Sequence, residues 1–411
     1  MDTFLASIKP RLKAEPSAPV ILVSGNESAD LDSIVSAVTT SYFLSRLQQS
    51  VLGQSNAIVI PFVNIDRQDL ALRSDVDYLL SSSNIKTDDI FFRDQLPQLE
   101  SILMRNPDQL SLFLVDHNRL AIGMSSLSAA KVVGTIDHHV DEGLHMDTAK
   151  IRRIETVGSC ASLVADLFLN DTIALDQKDT SGKGKGKGQP DWLRQSARLL
   201  LGPILIDTRN LNPEFKKVTP LDIKIAKQLM PYTGDSNCFT SLFTTIDEAR
   251  QDTSKLSFYD LLRKDYKEWS VNQTIQGESV LFGISSVNGV IDDFVKRDGK
   301  EVIQQAMSKW ASKRGVQLLM VLFGHDFGAE NGGYQRQIIV DPHSKGLQGF
   351  SAQLESVTEL KLKRTTVVDT DDFVKRGGKA YKQQDTSFSR KQIAPIVEKL
   401  LGSSDSKKSN M

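Results

Sequence analysis

Three of the chain's six histidines fall in two short acidic motifs, Asp116-His117-Asn118 and Asp137-His138-His139. Two further clusters of the same chemical kind are Asn26-Glu27-Ser28-Ala29-Asp30-Leu31-Asp32 and Asp207-Thr208. One aspartate at the end of a strand is commonly a turn former or a helix cap. Four such clusters, holding Asn26, Asp30, Asp32, Asp116, Asp137, His138, His139 and Asp207, exceed what capping requires. Carboxylates combined with imidazole, without thiolates, select hard or borderline divalent ions such as Mg²⁺ or Mn²⁺. Several shared carboxylates permit two ions roughly 3.5–4 Å apart, the spacing that positions a water and clamps a phosphoryl group.

Elements that would hold these residues are visible in the hydrophobic pattern. Short apolar runs at 20–25, 111–115, 131–136 and 202–206 each lead into one of the clusters. Such runs, separated by longer amphipathic stretches, read as buried parallel strands alternating with helices, including a helix over 31–48. Ligands of open parallel sheets sit beyond the carboxyl ends of the strands, where all four clusters would fall. A second block from about 245 alternates helical stretches (256–269, 298–313) with strands (317–323, 337–341), and residues 231–237 carry the turn chemistry of a hinge. The pattern predicts an α/β protein: a catalytic domain over 1–230 with a mainly parallel sheet, a smaller α/β domain over 245–403, and the active site in the cleft between them.

Composition narrows the function classes. The chain has 411 residues, 50 basic and 51 acidic side chains and a formal net charge of −1. No global field draws it to nucleic acid or to an anionic membrane, so neither is an expected partner. Two cysteines are too few for a disulfide framework, and no apolar run reaches signal-peptide or membrane-spanning length, which together point to the cytoplasm. The Gly/Lys-rich stretch within about 172–190 reads as a flexible, plainly solvated surface insertion, the alternative being a tether whose lysines hold a polyanion, and it lacks the Gly spacing and terminal Lys-Ser/Thr of a phosphate-binding loop. The polar tail over 404–411 reads as disordered.

At its four clusters the chain resembles the DHH (Asp-His-His) phosphoesterase superfamily, whose four metal-binding motifs occur in this order and at this spacing. The resemblance implies that Asn26 and Asp30 bind one metal, that Asp32, His138 and Asp207 bind the other, and that Asp116 bridges them. It makes Asp116 and His139 catalytic, with His139 facing substrate. Asp137 would orient the neighbouring histidines, while His117 would orient the bridging carboxylate or simply pack in the core. Gly158-Ser159-Cys160-Ala161-Ser162 would open a helix whose amides lie near the site, with Cys160 a packed residue rather than a nucleophile.

Two signals in the second block are similar to the C-terminal domain of family II inorganic pyrophosphatases and fungal-type exopolyphosphatases. They are Asp265-Tyr266-Lys267 and Ser389-Arg390-Lys391-Gln392. Lys267, Arg390 and Lys391, with His139, would bind a terminal phosphate. Family II pyrophosphatases carry a His where this chain has Asn26, a harder and weaker ligand that makes Mg²⁺ more competitive with Mn²⁺. The segment 64–73 would supply Arg67 or Arg73 to a phosphate channel, or else be a helix start with a solvated charge pattern. The chain looks most like the fungal exopolyphosphatases, which implies hydrolysis of terminal phosphoanhydrides of inorganic polyphosphate with two divalent cations (Mg²⁺ or Mn²⁺, with Co²⁺ serving in vitro) and a monomer. The alternatives are a family II-type pyrophosphatase, a prune-like scaffold of weak activity, and a DHH nuclease. The last would carry a Gly-Gly-Gly-His-like motif, which Asn331-Gly332-Gly333-Tyr334 does not match.

Overall fold

The computed structural model describes residues 1–53, 55–105, 109–180, 190–235, 238–271, 279–328, 330 and 333–402. The chain divides into two compact units, Met1–Asp252 and Thr253–Met411. The central part of the Gly/Lys stretch (181–189), the tail, Asn331, Gly332 and the last two residues of the hinge stretch lie outside the described residues.

The first unit opens with α1 (Asp2–Ala14), β1 (Val20–Ser24), α2 (Leu31–Leu52), β2 (Ile58–Val63), α3 (Ser74–Ser82), β3 (Phe91–Phe92) and α4 (Leu96–Arg105). It continues with β4 (Leu110–Val115), β5 (Lys131–Asp137), β6 (Ile151–Ile154), α5 (Cys160–Thr180), α6 (Asp191–Asp207), α7 (Pro220–Leu229) and α8 (Cys238–Gln251). Its six strands lie in the order β3-β2-β1-β4-β5-β6, and every pair is parallel. The strand order reverses between β1 and β4, the switch point at which open α/β sheets bind ligands. Loops carrying Asn26–Asp32 and Asp116–Asn118 leave the sheet there, and the loop after β5 brings Asp137–His139 alongside.

Helix α2 is buried without a break from Leu31 to Leu44, and it packs against β1, β2, α5 and α6. It starts sharply because Asp30 accepts from the Ser33 amide (3.0 Å), and it ends at Gly53 in the left-handed region. Gly25 has no space for a Cβ, because the end of β1 lies against Ser33 of α2.

Residues 202–206 form a helix rather than the expected strand. They are the last turn of α6, whose buried residues run back through Leu201, Leu200, Leu199, Ala197, Leu193 and Trp192. A continuous apolar run has no periodicity to separate a buried helix from a buried strand. Asp207 therefore reaches the site from the carboxyl end of a helix. The expected insertion likewise starts later than 172, because α5 continues to Thr180 with Thr172 buried.

The second unit comprises α9 (Phe258–Lys264), β7 (Tyr266–Val271), β8 (Val280–Asn288), α10 (Ile291–Asp298), α11 (Lys300–Arg314), β9 (Leu318–Asp326) and β10 (Tyr334–Pro342). It ends with α12 (Phe350–Glu355), β11 (Leu362–Thr365), α13 (Asp371–Lys375), β12 (Lys379–Gln383) and α14 (Arg390–Gly402). Its sheet order is β11-β12-β10-β9-β8-β7, antiparallel except for β8 with β9. The helix expected over 256–269 stops at Lys264, and the chain turns into β7. From Tyr266 the side chains alternate, with Trp269 and Val271 packing on the core that also buries Ile393, Ala394, Val397 and Leu401 of α14.

One buried carboxylate ties the first unit's helices to the loop before α5. Asp222 accepts from the Gly158 amide (2.9 Å), Ser162 Oγ (2.6 Å), Thr219 Oγ1 (2.7 Å) and the Thr219 amide (2.8 Å). Asp222→Ala leaves these buried donors unsatisfied and is expected to cost about 3 kcal/mol. Urea unfolding monitored by circular dichroism checks this, with a lower midpoint at unchanged slope as the expected result.

Candidate metal centre

The middle of the site is Asp116, at the end of β4. Its φ is +62°, a conformation that costs a non-glycine residue on the order of 1 kcal/mol. It is 2% exposed, and among the described residues its Oδ1 has no hydrogen-bond donor other than the His138 ring, 3.2 Å away. His138 Nδ1 donates to the Val157 carbonyl (3.0 Å), which fixes the tautomer and leaves Nε2 facing Asp116 and, at 3.8 Å, Asp32. Asp116, His138 and His139 present ligand atoms within 4.8 Å of one another.

Asp32, in the first turn of α2, is buried and accepts from the amides of Cys160 (2.6 Å) and Ala161 (2.9 Å). The amides at the start of α5 thus serve this carboxylate, where the helix dipole favours negative charge. Asp207 lies at the opposite kind of terminus, the carboxyl end of α6, where the dipole disfavours an anion and favours a cation. Asp30 caps α2 through Oδ1 and accepts from Ser28 Oγ (3.2 Å) at Oδ2.

Charge crowding appears in the proton affinities. Burial, then the charge of Asp32, pushes Asp116 up to about 7. Asp32 and Asp207 are likewise raised by burial first, the charge of His138 opposing the rise at Asp32 and neighbouring carboxylates adding to it at Asp207. For Asp207 those neighbours are Asp32, Asp30 and Asp116. Burial works against a charged His138, but its hydrogen bond to Asp116 and the charges of Asp32 and Asp116 outweigh it and raise the imidazole to about 10. Proton affinities rise here because several carboxylates share a space from which water is largely excluded. A divalent cation satisfies the same need, and the buried Oδ1 of Asp116 and the directed Nε2 of His138 fit one.

Asn26 is placed differently from a ligand bound through its amide oxygen. Its Oδ1 accepts from the Ser28 amide (2.9 Å), Ser28 Oγ (2.7 Å) and the Ala29 amide (3.2 Å). The amide nitrogen is thereby turned to Asp116, donating to Oδ2 at 2.8 Å. Backbone N–H groups fix this orientation, since only the oxygen can accept from them.

The third motif is braced from the second. Asn118, a residue to which sequence reasoning attached no role, donates to Asp137 Oδ2 (2.5 Å) and the Val140 carbonyl (2.9 Å) and accepts from the Glu142 amide (3.0 Å). Asp137 is fully buried and also accepts from the backbone of His139 (3.1 Å) and bonds its Nδ1 (2.8 Å). Burial opposes its ionisation, yet these bonds outweigh burial and hold Asp137 below the usual carboxylate range. The same bond raises His139, whose side chain is 57% exposed at a cavity of about 460 Å³ shared with Asn26, His117 and Arg119. His117 donates Nδ1–H to the Val115 carbonyl (2.9 Å), and burial lowers its proton affinity. Cys160 is fully buried, and burial together with the nearby carboxylates raises its thiol well above the ordinary value, the state of a packed residue rather than a nucleophile.

Arg67 and Arg73 have separate fates. Arg67 donates to the Thr87 and Ile90 carbonyls (3.0 and 2.8 Å) and covers the Phe92 ring, so it braces its own unit. Arg73 reaches the first motif, donating to the Ser28 carbonyl (2.5 Å).

In the second unit the two basic signals meet. Arg390 opens α14 and donates to Asp265 Oδ1 (2.6 Å) and to the Asp265 carbonyl (2.9 Å). Ser389 precedes the helix and donates twice to Gln392 in its first turn, Gln392 Oε1 accepting from the Ser389 amide (3.0 Å) and hydroxyl (2.6 Å). Lys267 lies on the face of β7 that carries Trp269 and Val271, the face packed against α14. Lys267 and Lys391 are both exposed.

The DHH family N-terminal domain matches residues 20–193, and the DHHA2 domain matches residues 244–400. A Schizosaccharomyces pombe protein named "Putative exopolyphosphatase" is 31% identical over 388 residues, 93% of this chain and 91% of that protein. The chain belongs to the DHH family. It is therefore a metal-dependent hydrolase of the DHH phosphoesterase kind. The human protein "Exopolyphosphatase PRUNE1" is 29% identical to this DHH chain over 98% of its length and 79% of the relative's. A "Manganese-dependent inorganic pyrophosphatase" of Methanocaldococcus jannaschii is 27% identical over 73% of this chain and 81% of the relative.

Because a ligating imidazole must be neutral, a divalent ion bound at His138 would displace a proton at pH 7. Calorimetric titration of the DHH chain with Mn²⁺ in buffers of different ionisation enthalpy is expected to show release on the order of one proton per bound ion. Apparent affinity strengthens as pH rises above 7 and weakens below it. Heats that do not depend on the buffer would contradict the placement of His138.

Proposed function

We propose that this phosphoesterase is an exopolyphosphatase that removes orthophosphate from the ends of inorganic polyphosphate with two divalent cations, Mg²⁺ or Mn²⁺. The observation that carries the reading is the buried Asp116 carboxylate, with Oδ1 facing the His138 ring at 3.2 Å and Oδ2 bonded to the amide of Asn26. The support for polyphosphate as substrate is the likeness over nearly the whole chain to proteins named as exopolyphosphatases.

When bound, the cations polarise phosphoryl oxygens and lower the proton affinity of a coordinated water. Asp30, Asp32, His138 and Asp207 are proposed to hold them, with Asp116 shared between the two ions. Asn26 is proposed to support the first ion's place through Asp116, to which its amide donates. Asp137 holds His139 at the cavity with Nδ1 engaged, leaving Nε2 to donate to a phosphate oxygen. Lys267, Arg390 and Lys391 are proposed to bind the phosphates of the substrate. Arg supplies a planar pair of donors, and the lysines supply mobile point charges.

A family II-type pyrophosphatase is the second reading, favoured by the likeness to the archaeal manganese-dependent enzyme. The two readings separate in a matrix of Mg²⁺, Mn²⁺ and Co²⁺ against pyrophosphate, tripolyphosphate and long-chain polyphosphate. Phosphate release from the long chain is the expected result, and activity confined to pyrophosphate would overturn the first reading. Asp116→Ala is expected to lower turnover by a thousandfold or more, on the order seen when transition-state charge stabilisation is removed. Its circular dichroism should be unchanged, and near-normal activity would sink the metal assignment. Arg390→Ala is expected to raise KM with metal binding retained.

A further inference from the structure

Arg390 and Asp265 are 125 positions apart in the chain, yet the guanidinium is bound to Asp265 twice. Nη2 donates to the carboxylate at 2.6 Å and Nη1 to the same residue's carbonyl at 2.9 Å. That carbonyl also accepts from the Ser286 amide (2.8 Å), so the anchor belongs to the start of the β7–β8 ladder and not to a loose side chain. The Arg390 side chain is 16% exposed and the Asp265 side chain 53%. The arginine is thus laid down against the protein while its partner remains half in water.

We infer that Asp265 is a positioning residue that aims Arg390 at substrate phosphate. A guanidinium has five N–H donors in one plane. Asp265 engages one hydrogen on each terminal nitrogen, and the remaining edge, formed by Nε and Nη2, keeps the parallel geometry that matches two oxygens of a phosphate. A free arginine must lose rotamer freedom when it binds. Here that ordering precedes substrate. The Asp265 side of the pair stays half in water, which limits what the pair adds to stability, so its value lies in orientation rather than in holding the fold. Helix α14 begins at Arg390 behind its Ser389–Gln392 cap, which fixes the other end of the same side chain. Lys267, two residues beyond Asp265, shares the face of β7 on which α14 packs. The Asp265-Tyr266-Lys267 triplet accordingly contributes one phosphate ligand and the carboxylate that directs another.

This inference rests on the proposed contact between Arg390 and substrate, and a double-mutant cycle separates the two. Steady-state kinetics on tripolyphosphate at saturating Mg²⁺ are measured for the full-length protein and for Asp265→Ala, Asp265→Asn, Arg390→Ala and Asp265→Ala/Arg390→Ala, with thermal midpoints for each. Asp265→Ala is expected to raise KM about tenfold, the scale of one charge-assisted hydrogen bond, with kcat within about threefold and the midpoint nearly unchanged. Asp265→Asn, which keeps an acceptor oxygen, is expected to fall between wild type and Asp265→Ala. The double variant is expected to match Arg390→Ala alone, since there is then nothing to aim. An unchanged or lowered KM for Asp265→Ala, beside a raised KM for Arg390→Ala, overturns the positioning role and leaves the Arg390 contact standing. Additive effects in the double variant also overturn the positioning role. Unchanged kinetics for Arg390→Ala overturn the Arg390 contact itself.

Discussion

Asp32, Asp116 and Asp207 are held close together in the interior of the first unit, and their mutual repulsion is the constraint from which the rest of the site follows. Negative charge packed this way is tolerated only with compensation. Part of that compensation is local and permanent. The amides at the start of α5 bind Asp32, the Asn26 amide binds Asp116, and the His138 ring, held by the Val157 carbonyl, faces both carboxylates. What remains is a demand for positive charge, which the raised proton affinities of His138 and Asp116 reflect. The parallel sheet makes this crowding possible. Its strand order reverses between β1 and β4, so two acidic loops leave the same edge side by side with the third next to them.

The overall balance of 50 basic and 51 acidic side chains conceals a segregation. Acidic groups collect at the sheet edge of the first unit. In the second unit basic groups collect where α14 begins, with Arg390 tied to Asp265 and Lys267 on the adjoining strand face. The two environments suit different ligands: carboxylates bind divalent cations, and guanidinium and ammonium groups bind phosphate oxygens.

Much of this was legible in residue types and spacing, for a physical reason. The strands β1, β4 and β5 are buried along nearly their whole length, so their apolar runs stop where the site begins. Helix α6 was misread because 202–206 is apolar without periodicity, and the buried residues that mark it as a helix lie upstream. The stretch 256–269 was misread as one helix because α9 and β7 follow each other with only Asp265 between them. Asn26 shows a different limit. Its residue type is compatible with ligation, and only the loop geometry, with the amides of Ser28 and Ala29 taking its oxygen, turns the nitrogen toward Asp116. Asn118 carried no signal beyond its place in a motif, because its bonds to Asp137, Val140 and Glu142 span a loop whose path the sequence does not encode locally.

Anomalous diffraction from Mn²⁺-soaked crystals of the wild-type chain and of Asp116→Asn tests most directly whether the crowded carboxylates at Asp116 take up divalent cations. Two anomalous peaks are expected in the wild type, separated by roughly 3.5–4 Å with the Asp116 carboxylate between them. In Asp116→Asn at least one of them should be lost. A wild-type map with no peak within coordination distance of Asp116 and His138 would contradict such uptake.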